Sequence, residues 1–168
     1  SYPCILKQPD SSFSQGVVRA ETPEAALELA RQLLKKSELV IAQEFMPSEF
    51  DWRIGILDRK PLFACKYFMS GDHWQIVRKD KGGRDVYGRV ETLPVGKAPP
   101  VVVKTALKAA NLIGDGFYGV DLKQKDDEVY VIEINDNPNL DAGIEDRVLG
   151  DEIYDRIMQS LLNRIESS

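Results

Sequence analysis

The sequence predicts an α+β fold built on largely antiparallel sheets with flanking helices, and three observations carry that prediction. Apolar runs come in neighbouring pairs joined by short polar tips: "RIGIL" and "PLFACKYF" flank Asp58 to Lys60, and "FYGVDL" and "EVYVIEIN" flank "KQKDDE". Three other segments repeat apolar residues at helical spacing. Strands and helices are intermixed without the regular strand–helix alternation that a doubly wound parallel sheet needs.

Taken in order, "CILKQ" reads as a short strand, and the turn-rich "PDSSFSQG" links it to a second strand, "VVRA", as a hairpin with a long polar tip. Thr22 can cap a helix whose first-turn residue is Pro23, with Ala26, Leu27, Ala30, Leu33 and Leu34 forming its apolar face. "ELVIAQEFM" reads as a buried strand that ends at Pro47. The antiparallel pair around Asp58 to Lys60 follows. From Ser70 to Pro100 glycines, charges and scattered aromatics replace any period, with Gly82 and Gly83 as the natural hinge. Pro99 and Pro100 open a second helix that points Val102, Val103, Ala106, Leu107, Ala110 and Ile113 inward and stops at Gly114. A last helix starts near Gly150, with Ile153, Tyr154, Ile157, Met158, Leu161 and Ile165 facing inward.

Composition narrows the function classes. The 168 residues carry 27 acidic against 22 basic side chains, a net charge of −5, so the overall field repels a nucleic-acid backbone. Cys4 and Cys65 fit no metal or redox spacing and read as reduced core thiols. His73 alone is too little for a zinc site or a serine-type triad. No apolar run approaches the ~20 residues of a membrane span, and no signal peptide opens the chain. Neither nucleic acid nor membrane is expected as a partner, a cytoplasmic location is, and self-association into a homo-oligomer stays open.

The densest chemistry lies in "VYVIEINDNPNLDAG". Strand alternation puts Val129, Val131, Glu133 and Asn135 on one face and Tyr130, Ile132 and Ile134 on the other. If the connecting loop has an odd number of residues, Asp121 falls opposite or near Glu133, and Val120 and Leu122 join Ile132 and Ile134 on the buried face. Two carboxylates and an amide then converge, and their repulsion is relieved by a cation. Oxygen-only ligation suits a hard ion of the magnesium type. A solvated acidic strand face explains the same residues without any ion.

Elsewhere, Lys7 stands in an apolar strand where its ammonium needs an anion. The following loop offers Ser11, Ser12, Ser14 and the flexible Gly16, which could close over phosphate oxygens, although an exposed hairpin accounts for the same features. Neither the phosphate-loop nor the dinucleotide glycine pattern is present. The strand ending Gln43, Glu44, Phe45 and Met46 offers backbone hydrogen bonds beside apolar side chains, which suits a flat heterocycle, and Asp51 could accept from a ribose hydroxyl. A strand end with a surface acid is the plainer account of that segment.

In this order the segments resemble the ATP-grasp superfamily of carboxylate–amine ligases, most closely its RimK-type members, which add glutamate or related amino acids to a carboxylate. Lys7 with "SSFSQGV" looks like the family's phosphate lysine and lid loop, "IAQEFM" like its adenine-binding segment, and "DWR" like its ribose-contacting acid followed by an arginine. "GVDLK" and "EINDNPN" look like its paired magnesium strands, and the E-I-N-x-N-P ending is the most specific part. The resemblance implies two lobes enclosing a nucleotide cleft: a small lobe over residues 1–47 and a larger one over 48–168, with a front domain lying outside the sequence. It implies ATP with magnesium or manganese as cofactors, and a carboxylate plus an amine (amino acid, peptide or protein tail) as substrates. Metal ligation falls to Asp121, Glu133 and Asn135. Nucleotide contacts fall to Lys7, Ser12, Ser14, Gln15, Gly16, Gln43, Glu44, Phe45, Met46, Asp51 and Lys66, and catalysis to Lys7, Arg53 and Arg78. A non-catalytic ATP-binding regulatory module of the same fold is the alternative. The stretch between Met69 and Pro94 lacks the Arg-Ser-Asn-type run of RimK-type enzymes and is where substrate choice is expected to be set.

Overall fold

A computed structural model of the chain describes residues 1–9, 16–71, 73–80 and 82–167, apart from the side chains of residues 78 and 79. The chain divides into two compact units, residues 1–47 with 77–85, and residues 48–76 with 86–168.

The first unit holds strands β1 (Cys4–Lys7), β2 (Val17–Ala20) and β3 (Ile41–Glu44), paired antiparallel in the order β2-β1-β3, and helix α1 (Pro23–Leu33). Thr22 caps α1 by accepting from the Ala25 amide at 3.2 Å, and Pro23 occupies the first turn, where no amide is needed. Leu6, Ala20 and Ala26 form the core, with Cys4, Val18, Ala25, Leu29, Ala30 and Leu33 packed around them. The contact stripe is rotated from the expected one, since Leu27 and Leu34 are exposed and Ala25 and Leu29 take their place. Nor is β3 buried. It is an edge strand with Ile41 exposed, because a three-stranded sheet has only one helix to cover it.

In the second unit five strands pair antiparallel in the order β10-β9-β4-β5-β8: β4 (Phe50–Leu57), β5 (Lys60–Phe68), β8 (Val90–Leu93), β9 (Phe117–Lys125) and β10 (Glu128–Asn135). The stretch expected to be irregular therefore contains β8. It also contains a small two-stranded ladder, β6 (Val77–Lys79) with β7 (Asp85–Tyr87), whose turn includes Gly82 and Gly83. Helix α2 (Pro100–Ile113) lays Val102, Ala106 and Ala110 against Trp52, Ile54, Val120 and Leu122 on one sheet face. On the other face the start of helix α3 (Glu152–Glu166) packs Ile153, Tyr154 and Ile157 against Leu57, Phe63 and Cys65. At the later turns of α3 the inward positions go to Ser160 and Arg164, which bond Asp58 in the β4–β5 turn. Met158, Leu161 and Ile165 on α3 and Ile113 on α2 are exposed, contrary to their expected inward placement. No helix among the described residues is long and apolar enough to cross a membrane.

Candidate functional site

The β9–β10 hairpin turns on two residues, Asp126 and Asp127, with Lys125 paired to Glu128. An even turn would set Asp121 against Ile132. A bulge between Val131 and Glu133 supplies the odd residue instead, and beyond it Asp121 pairs with Glu133, Ile134 with Val120 and Asn135 with Gly119. The bulge also corrects the expected faces. Before it Val131 pairs with Leu122, so Val129 and Val131 lie on the α2 side, and only Glu133 and Asn135 share the side of Asp121. Val129, Val131 and Ile134 thus stay on the helix side while two carboxylates meet on the other, and Tyr130, expected on the buried face, pairs with Lys123 and lies exposed on the Asp121 side.

That side carries a continuous polar lane. Arg53 on β4 pairs with Asp121, and its guanidinium grips the carboxylate at both oxygens, Nε to Oδ1 at 2.7 Å and Nη2 to Oδ2 at 2.8 Å. Its Nη1 donates to Asn139 Oδ1 at 2.6 Å. The Asn139 amide nitrogen donates to Glu145 Oε1 at 3.1 Å and to Asp141 Oδ2 at 2.9 Å. Glu145 has no exposed surface, and it also accepts from the Asp141 amide at 2.7 Å and from the Tyr67 hydroxyl. Burial works against the charge on Arg53, but the hydrogen bonds and charge of Asp121 outweigh it and hold the guanidinium protonated beyond its usual range. Burial, then the bond to Glu145, pushes the Tyr67 phenol above its usual range, so it serves as a donor. Burial likewise pushes the neighbouring Cys65 thiol up to about 11. The cation beside Asp121 in this chain is therefore an arginine.

Could a metal still use this site? Each carboxylate oxygen can accept more than one bond, so a bidentate arginine leaves Asp121 with capacity. Glu133 is exposed and directly opposite, and Asn135 offers an amide oxygen on the same side. The donors are all oxygen, which fits a hard divalent ion that keeps waters and phosphate oxygens. Among the described residues no group of three or more His, Cys, Asp or Glu side chains could hold a metal. Two carboxylates and an amide are what this chain offers.

Gly119 lets the loop after β10 reach the sheet. A Cβ there would stand 2.7 Å from Pro138 Cβ and 3.8 Å from Arg53 Cδ. Gly119→Ala is expected to lift Pro138 and with it Asn139, at a cost of about 1–3 kcal/mol in unfolding free energy, read from the midpoint of urea denaturation. A midpoint unchanged from wild type would show that the loop does not depend on this contact.

Other expected residues are spread more widely. Asp51 is on the Arg53 side of β4, where it accepts from Lys123 Nζ and from the Ser48 hydroxyl at 2.9 Å. Burial, only partly offset by Lys123, pushes its carboxyl above the usual value. Lys66 pairs with Trp52 on the opposite, α2 side of the sheet, its ammonium 4.9 Å and 5.2 Å from the Phe50 and Trp52 ring centres. Within the first unit, register puts Lys7 and Gln43 on the sheet face away from α1, and the ring of Phe45 stacks under Arg19 at 4.0 Å on that face. Glu44 alternates to the α1 side, and Met46 is half-buried just beyond the strand. Gly16 has φ +70° and closes the hairpin by accepting from the Gln8 amide at 3.2 Å. Ser12, Ser14 and Gln15 lie outside the described residues, as does the side chain of Arg78.

Three participants in the lane, Asn139, Glu145 and Tyr67, were not among the expected site residues. Asn139 had a signal, a second amide directly after the proline of "NDNPN". The other two become visible only through sheet order and loop path.

Residues 98–161 match the RimK-like ATP-grasp domain. The chain is 26% identical over 169 residues to a probable alpha-L-glutamate ligase 2 of Shewanella denitrificans, covering 99% of this chain and 52% of that protein. It is 26% identical over 170 residues to the tetrahydromethanopterin:alpha-L-glutamate ligase of Methanocaldococcus jannaschii, covering 97% of this chain and 54% of that one. Among solved structures, the D-alanine–D-alanine ligase of Bacillus anthracis complexed with ATP superposes with a TM-score of 0.72 at 18% identity, over 100% of this chain and 56% of the other. The chain spans about half the length of the curated relatives it matches.

Proposed function

Because the chain has the ATP-grasp fold and matches the RimK-like ATP-grasp domain across residues 98–161, we propose that it is the ATP-binding portion of a carboxylate–amine ligase that adds glutamate or a related amino acid to a carboxylate. The observation that carries this reading is the bulged register that sets Asp121 against Glu133, with Asn135 on the same side, in a sheet whose other face is closed by α2.

In this reading the substrate carboxylate attacks the γ-phosphorus of ATP and ADP leaves. An amine then displaces phosphate from the acyl phosphate, giving an amide. Magnesium or manganese held by Asp121, Glu133 and Asn135 would supply positive charge to the phosphate oxygens. Lys7 would add a second positive charge to them. Gln43, Glu44, Phe45 and Met46 offer backbone and apolar contacts for the adenine, and Asp51 a hydrogen bond for the ribose. Arg53, beside Asp121, or Arg78 stabilises the oxyanion that forms as the amine adds. Lys66 is left out, since it is on the other sheet face. The two free cysteines fit a cytoplasmic location.

Thermal denaturation tests the binding part. ATP and magnesium together, at about a hundredfold over their dissociation constant, are expected to stabilise the chain by ~2.7 kcal/mol, a rise in Tm of roughly 5–10 °C. No shift sinks the nucleotide reading. In the complete enzyme, ADP release stimulated by glutamate and a carboxylate acceptor supports the ligase, whereas binding without such release supports a regulatory module.

A further inference from the structure

Glu145 is the one charged side chain among the described residues with no exposed surface. A carboxylate in that position needs hydrogen-bond donors on both oxygens, and here they come from three places: the Tyr67 hydroxyl on β5, the Asp141 amide, and the Asn139 side chain at 3.1 Å. An acceptor fixed on this side decides which way the Asn139 amide points. Its nitrogen must face Glu145, so its oxygen must face Arg53, which it does at 2.6 Å. Reversing the amide would bring its N–H groups against a guanidinium that can only donate. The Asn139 nitrogen also meets Asp141, but that residue is exposed and free to turn to water, whereas Glu145 is enclosed. The oriented amide in turn holds the Arg53 fork in the plane in which it grips both oxygens of Asp121.

We propose that Glu145 is a positioning residue of this site: by orienting Asn139 it orients Arg53, and through Arg53 it sets the Asp121 carboxylate that faces Glu133. The proposal rests on the reading of Asp121 as a metal ligand. It adds a residue 24 positions further along the chain that touches neither nucleotide nor ion.

Glu145→Gln probes the polarity of the relay. The introduced amide has one acceptor and one donor end. Pointed one way, its N–H meets the Asp141 N–H. Pointed the other, it meets the Asn139 N–H and drives that amide to flip against Arg53. Adding Asn139→Asp to Glu145→Gln restores the donor–acceptor match along positions 53, 139 and 145 at unchanged net charge, because the new carboxylate accepts from both the guanidinium and the introduced amide; the Tyr67 hydroxyl, which shares that end of residue 145, turns from donor to acceptor, and the exposed Asp141 carboxylate turns to water. A residue that merely supports the fold would not be rescued by moving the charge one step along the relay.

The measurement is a magnesium titration of the nucleotide-induced thermal shift, using a non-hydrolysable ATP analogue so that no turnover is required. Glu145→Gln is expected to raise the magnesium concentration at half-response by about tenfold or more, and the double variant to return it to within about threefold of wild type. A Glu145→Gln protein that responds like wild type overturns the positioning role and leaves the metal reading intact. So does a double variant no better than the single. A wild-type chain with no magnesium-dependent response overturns both. If Glu145→Gln does not fold, Asn139→Ala cuts the same relay while leaving Glu145 bound to Tyr67 and Asp141, and it must show the same loss; an unchanged titration there overturns the proposal.

Discussion

Replacing Glu133 by alanine is expected, on the proposed ligase function, to lower magnesium-dependent nucleotide turnover of the complete protein by roughly a hundredfold or more while leaving the fold within about 1 kcal/mol of wild type. The two halves of that expectation come from different facts. Glu133 is exposed and sits on β10, the outermost strand of its sheet, so truncation opens no cavity and buries no new charge. Yet the bulge between Val131 and Glu133 exists at this one place in the hairpin, and it brings this carboxylate opposite Asp121. Local disruption of a ladder is a cost, and here it aligns two like charges, which alone would be a second cost. A ligand that uses both carboxylates gives the arrangement a purpose. ADP release at saturating magnesium, paired with urea denaturation, checks both halves. Wild-type turnover in a folded variant would remove Glu133 from the metal set.

Much of the architecture can be read from local pattern. The Thr22-Pro23 cap, the Pro99-Pro100 start and Gly114 stop of α2, and the two principal hairpins each follow from chemistry within a few residues. Burial follows less closely, because periodicity describes only one partner of a contact. Met158, Leu161 and Ile165 continue the helical repeat of Ile153 and Ile157, yet at the later turns of α3 the inward positions are taken by Ser160 and Arg164, which bond Asp58, and the apolar three stay exposed. In the same way "VIAQE" has the composition of an interior strand but lies at the edge of a three-stranded sheet.

The site divides along the same line. Asp121, Glu133 and Asn135 are legible because strand alternation and an acidic motif agree. Alternation alone puts the odd residue in the loop, whereas it lies in the strand, and so Val129 and Val131 face α2 and Tyr130 faces the Asp121 side. Nothing local marks a bulge here, since Val131 and Ile132 are ordinary strand residues; it is the demand to bury Ile134 beside Val120 while exposing Glu133 that selects it. Arg53 was expected to act on substrate, and nothing within "DWR" reveals that its first partner is a carboxylate 68 residues away. Glu145 lies further still from legibility. An acid after an isoleucine reads as surface, and only the closing of the loop over Gly119 makes it interior.

Arg53→Met is the substitution expected to harm the fold most, lowering the unfolding free energy by about 3–5 kcal/mol and Tm by roughly 10 °C. The side chains of Arg53 and Asp121 keep only 16% and 21% of their surface exposed, and Glu145 keeps none. One guanidinium thus serves two carboxylates, gripping Asp121 directly and reaching Glu145 through the Asn139 amide. Methionine fills a similar volume, so the loss would come from uncompensated charge rather than from a cavity. Two further variants separate the causes. Arg53→Lys keeps the charge but cannot span both Asp121 oxygens and Asn139 together, and should fall between wild type and Arg53→Met. Adding Asp121→Asn to Arg53→Met removes one of the stranded charges and should recover part of the stability, with no recovery of the magnesium response. Thermal melts of the set decide the matter. An Arg53→Met protein within about 1 kcal/mol of wild type would mean that water reaches both carboxylates, and the lane would then be a hydrated surface rather than a packed relay.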